Sequence, residues 1–120
     1  MSSIVMHRNT IARKRRELSK LHSDKAKETK IVADMNKKIL SATQSISRTR
    51  ILSTAKSKQS EITRSQKKIV QAETKISRIE KKIAKLEKDI ASEENKLRAE
   101  EDRAFKKRET ATKRIQKNVE

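Results

Sequence analysis

The sequence predicts an all-α protein: long helices forming a coiled coil, in two helical segments with a break near residues 47–58, assembled as a parallel homo-oligomer. Three observations carry this expectation. The 120 residues include no Gly, Pro, Cys, Trp or Tyr, so the punctuation that strands and tight turns normally use is missing. Apolar residues make up 32% and charged residues 41%, against roughly 45–50% and 25% in an ordinary globular domain, too few to fill a compact core. High charge with low hydropathy usually means disorder, but such chains are rich in Pro and Gly. Here, instead, the apolar residues recur every seven positions.

Residues 1–50 read as a basic amphipathic helix. Ile4, Ile11, Leu18, Val32, Ile39 and Ile46 stand on one heptad row, with Lys25 as its one gap. Leu21, Met35 and Ala42 lie three residues after members of that row. Residues 47–58 are rich in Ser and Thr, which compete for backbone hydrogen bonds and favour caps. They predict a kink, or a turn that folds the first helix back on the second, with Ser53 or Thr54 as the N-cap. The seams on either side are out of step: Ile46 to Ile62 is two residues more than two heptads, a rotation of roughly 200° at 3.6 residues per turn.

Residues 58–118 read as the heptad helix, with its strongest seam up to about residue 104. Ile62, Ile69, Ile76, Ile83, Ile90 and Leu97 occupy the a positions, and Ala72, Ile79 and Leu86 stand at d. Beyond Leu97 the seam weakens, with Glu93 and Glu100 at d and Ala104 and Ala111 at a. The buried oligomer seam is therefore expected at Ile62, Ile69, Ile76, Ile79, Ile83, Leu86, Ile90 and Leu97.

The flanking charges predict orientation. In a parallel pair each g position faces the following e of the partner. This gives the interchain pairs Lys68–Glu73, Lys75–Glu80, Lys82–Glu87 and Lys96–Glu101, with Asp89–Glu94 and Arg103–Arg108 repulsive. An antiparallel self-pair would set Lys against Lys and Glu against Glu. A parallel dimer is the expectation, with the mixed d positions leaving three strands open.

The net charge is +17, densest in Arg13, Lys14, Arg15 and Arg16. A basic helix can bind phosphate by releasing counterions, so residues 8–30 are a candidate contact for nucleic acid or another anionic surface. The stretch HRNTIARKRREL superficially resembles the basic region of a basic leucine zipper. That pattern wants small residues four and seven positions after the Asn and an Arg at eight. Here those positions hold Arg13, Arg16 and Glu17, so base-specific reading is not expected. A solvated basic face is the plainer reading of the same residues.

No segment approaches 18 consecutive apolar residues, so no membrane span is expected, and the N-terminus lacks an apolar run of signal-peptide length. A cytoplasmic location is the default. No catalytic constellation is found: His7 and His22 stand apart from any nucleophile, and no Gly is present for a phosphate loop. The expectation is no enzyme activity within these residues, no cofactor and no metal.

Residues 38–110 resemble a known family. The run ILSATQSISRTRILSTAKSKQSEITRSQKKI, followed by SRIEKKIAKLEKDIASEENKLRAEEDRAFKKRE, is similar to the N-terminal coiled-coil region of bacterial Toll/interleukin-receptor (TIR) domain proteins. The most specific part is Ser53, Thr54, Lys56, Lys58, Ser60, Glu61, Ile62 and Arg64. Family members tend to carry Pro just before the Ser-Thr pair, where this chain has Leu52. The resemblance implies a self-associating region ahead of a TIR domain that often cleaves NAD. Nothing in the chain resembles the Phe-x-Ser first-strand motif of that domain, since the only Phe is Phe105. The chain is then expected to be a fragment or a stand-alone relative, and no catalytic Glu carries over.

The expected function is thus a coiled-coil oligomerisation or scaffold module, by resemblance one that brings bacterial TIR domains together for NAD cleavage or signalling. The alternative is a basic helical protein that binds polyanions such as nucleic acid.

Overall fold

The computed structural model describes residues 2–119 and contains two α-helices, α1 (Ser3–Arg48) and α2 (Leu52–Val119). No described residue is in a strand. Both helices begin and continue for local reasons. Ser2 caps α1: its Oγ accepts the Val5 N–H at 3.2 Å, the bond from N-cap to N3 that satisfies an orphan donor. Threonines inside the helices turn their hydroxyls back on the preceding turn. Thr29, Thr43, Thr63, Thr74, Thr110 and Thr112 each donate to the carbonyl four residues earlier, at 2.7–3.1 Å. The polar Oγ is thereby satisfied without leaving the helix.

The break occupies residues 49–51, inside the expected interval. Thr49 Oγ1 accepts the Ile51 N–H at 3.2 Å, and the Ala55 N–H reaches the Ile51 carbonyl at 3.0 Å, starting α2. The expected N-cap moves accordingly: Ser53 and Thr54 lie within the first turn of α2, because the chain becomes helical directly after Ile51. No described residue has positive φ. The connection therefore needs no left-handed position, and a turn without Gly or Pro is possible.

The chain divides into two compact units, Lys20–Ile83 and Met1–Ser19 with Ala84–Glu120. The first is a helical hairpin. Lys25 Nζ lies 3.4 Å from Glu80, and Lys75 Nζ lies 3.9 Å from Glu28, so the arms run antiparallel. Its core is Met35, Ala42, Ile62, Ala72 and Ile83, with Ser65 buried among them. Ala42 and Ala72 are the most deeply covered, at 2% exposure each. Small side chains here allow the arms to approach closely.

The other unit is an antiparallel pair made by the beginning of α1 and the later part of α2. Its core is Ile11, Leu86 and Ile90. His7, Lys14 and Arg15 of α1 face Glu93, Asp89 and Glu94 of α2. Beyond Ala104 every described residue of α2 is exposed.

This arrangement changes the expected partner of the seam. The a and d residues of α2, expected to face a parallel copy, are covered within the chain by α1, antiparallel. The two-residue phase error ceases to be an obstacle once the helices fold back, because each keeps its own register and the stripes face each other across the pair. A three-residue connection makes closure cheap, and tethering places α1 at a high effective concentration over the seam.

Candidate interaction surface

The expected seam residues all turn inward. Ile62, Ile83, Leu86 and Ile90 are buried, and Ile69, Ile76, Ile79 and Leu97 are half-buried. On α1 the partner stripe is Ile4, Ile11, Leu18, Leu21, Val32, Met35, Ile39, Ala42 and Ile46, none of them exposed. The heptad period therefore identified the covered face of both helices.

The charge pairs expected between chains are redistributed within each unit. Lys75 meets Glu28 at 3.9 Å, Glu80 meets Lys25 at 3.4 Å and Glu101 meets Arg8 at 3.8 Å, while Lys96 turns to Glu93 on its own helix at 3.5 Å. Lys68, Glu73, Lys82 and Glu87 are exposed and form no ion pair among the described residues. The repulsive contacts of the parallel scheme are relieved. Asp89 has Lys14 at 3.7 Å, Glu94 has Arg15 at 2.8 Å, and Arg103 has Glu100 at 3.1 Å. The acids of α2 thus complement the cations of α1, a combination that comparing α2 with itself could not reveal.

The same bridges alter the basic cluster. Lys14 and Arg15 are engaged by Asp89 and Glu94, while Arg13 and Arg16 point to solvent. Two of the four expected contact residues are thus in ion pairs with α2, and two are exposed.

Sequence reasoning placed Glu93 at d and Lys25 in the α1 row but missed that the polar residues on the covered faces pair across the helices. His7 and Lys14 of α1 and Glu93 of α2 occupy d positions and meet partners across the pair. Glu28, also at d, and Lys25, the gap in the α1 row, do the same in the hairpin. Their signal was positional: each falls on the seam, where a charge needs a partner on the facing helix. The closest of these contacts is His7 Nδ1 donating to Glu93 Oε2 at 2.8 Å. That hydrogen bond is the main cause holding the Glu93 carboxyl below its ordinary value, against the opposing effect of desolvation and with help from Lys96.

Open grooves follow the helix pairs. One in the hairpin is lined by Asp24, Glu28, Lys75, Arg78, Ile79 and Lys82, with charges of both signs. Another lies where Ser3 and Ile4 meet Glu100, Arg103 and Ala104. Among the described residues no group of His, Asp or Glu is placed to hold a metal ion, and no helix is long and apolar enough to cross a membrane. Comparison with family models, curated proteins and solved structures finds no match to this chain.

Proposed function

We propose that the chain is a coiled-coil oligomerisation and scaffold module, in which each copy closes its seam on itself and pairs with further copies along the flank that closure leaves uncovered. The observation that supports this reading is incomplete burial. Ile69, Ile76, Ile79 and Leu97 on α2, and Leu18, Leu21, Val32 and Ile39 on α1, are only half-buried, and no described side chain is completely enclosed. Completing the burial of such residues contributes about 25 cal/mol per Å² of apolar surface. The +17 charge of each copy opposes the approach. Salt screens that repulsion, so association should strengthen as salt rises.

The resemblance of residues 38–110 to the coiled-coil region of bacterial TIR proteins supports the second half of the proposal, that the domains so gathered are TIR domains and the outcome is NAD cleavage or signalling. The alternative reading, polyanion binding through residues 8–30, has less support because Lys14 and Arg15 are already paired.

Sedimentation equilibrium at increasing salt tests the association. A mass rising above the 13.9 kDa of one chain is expected, and a monomer at every concentration and salt would overturn it. Joining the chain to the N-terminus of a bacterial TIR domain tests the role. NAD cleavage should exceed that of the isolated domain and return to its level with Ile76→Lys and Ile79→Lys. No change on joining would remove the TIR part of the proposal.

A further inference from the structure

α1 begins at Ser3, and its first residues lie beside Glu100, Arg103 and Ala104 of α2. α2 continues through residues 105–119, all of them exposed. This segment carries Lys106, Lys107, Arg108, Lys113, Arg114 and Lys117 against a single acid, Glu109. At about 100° per residue, Lys106, Lys107, Lys113, Arg114 and Lys117 fall on one arc of about a third of the circumference, with Thr110 among them. Val119 and Phe105 lie on the other side with Ile115, while Ala111 borders the arc beside Lys107 and Arg114. Among the described residues only Lys113 of the six cations is in an ion pair, with Glu109 at 3.5 Å. The Arg13–Arg16 cluster differs: there Lys14 and Arg15 are held by acids of α2.

The geometry points to residues 105–119 as a binding surface for the phosphate backbone of a nucleic acid, without selection of base sequence. A duplex presents about one negative charge per 1.7 Å of axis, and cations that neutralise phosphates gain by releasing condensed counterions. From Lys106 to Lys117 the basic arc runs roughly 16 Å along the helix at 1.5 Å per residue, long enough to follow several phosphates. A second copy is a poor occupant, since it would bring an equally basic segment against this one. A lipid surface is also a poor fit. A surface-lying helix is held by the apolar area it inserts, and here that side offers only Phe105, Ile115 and Val119 as large residues, interrupted by Arg108. Phosphate contact without base selection is the expectation, because the arc's five cations are exposed side chains, four of them Lys, that nothing in the fold orients toward a base edge.

The test measures binding of the full chain to a short duplex DNA of random sequence by fluorescence anisotropy over a range of salt. The tail variant carries Lys106→Gln, Lys107→Gln, Arg114→Gln and Lys117→Gln. A control variant removes the same charge elsewhere, with Lys30→Gln, Lys37→Gln, Lys67→Gln and Lys81→Gln. The tail variant should lower the slope of log K against log salt by about 3–4 and weaken binding near 0.1 M salt by about 10³-fold, whereas the control loses less than about tenfold. A charge-keeping variant, with the tail lysines changed to Arg, should bind like the original chain, and equal far-ultraviolet circular dichroism should show that the variants keep their helices. Equal losses in tail and control variants, no retention of DNA at low salt, or binding to phosphatidylserine vesicles without binding to DNA would each overturn the proposal. DNA affinity falls with salt whereas self-association rises with it, so the two proposals fail separately.

Discussion

His7 and Glu93 stand eighty-six residues apart and meet at 2.8 Å, ring Nδ1 to carboxylate Oε2. Each occupies a d position, so the contact lies on the seam. The His7 hydrogen bond holds the Glu93 carboxyl below its ordinary value. A depressed folded-state pKa means that the unfolded chain takes up protons first as pH falls, so the stabilisation is present above the unfolded value near 4.3 and is lost as pH drops through the folded value. Glu93→Gln should therefore lower the melting temperature at neutral pH, and the gap between variant and original should close below about pH 4. A gap unchanged at acidic pH would show that the carboxylate charge is not what the contact uses.

Burial separates two isoleucines of the same helix. Ile83 is 8% exposed and Ile115 is 63% exposed. Ile83→Ala should cost about 2–4 kcal/mol in urea unfolding, through lost transfer energy and the cavity left behind. Ile115→Ala should stay within about 0.5 kcal/mol. Similar costs at both positions would mean that residues 105–119 are covered in solution.

The absence of cysteine makes pairing topology directly measurable. Lys25→Cys with Glu80→Cys, treated with a short bis-maleimide, should give a cross-linked monomer, because the two side chains meet within one hairpin. Yield should not depend on protein concentration. Cross-linked dimer as the main product on denaturing gels would instead support the parallel arrangement that the charge pattern of α2 suggests by itself.

Two lysines on the seam should be more damaging than two alanines. Ile76→Lys with Ile83→Lys places like charges on the covered face, where they have no partner. Helicity by circular dichroism should fall sharply and any oligomer should disappear. An oligomer that survives in sedimentation with helicity intact would mean that association uses a different face.

The N-cap of α1 offers a smaller, local check. Ser2→Ala removes the acceptor for the Val5 N–H and should cost about 0.5–2 kcal/mol, whereas Ser2→Asn or Ser2→Asp should retain most of it. Hydrogen exchange of the Val5 amide should accelerate in the Ala variant alone.

By itself the sequence determined that the chain is helical, where the break falls and which face of each helix is covered. These are local properties. Seven-residue spacing places Ile62 to Leu97 on one stripe whatever covers it, and the lack of Gly and Pro leaves helix as the default conformation. Tertiary structure alone decided what lies on that stripe. The e and g charges of α2 favoured a parallel copy only while α2 was compared with itself. Once Lys14, Arg15 and Lys25 of α1 are brought against Asp89, Glu94 and Glu80, the antiparallel pairing within the chain becomes the better-matched one. Arg13–Arg16 and residues 105–119 differ in the same way. Both are basic in sequence, and the difference lies in which cations the fold supplies with acids. Charge matching depends on distances between residues far apart in the chain, and no local period encodes those distances.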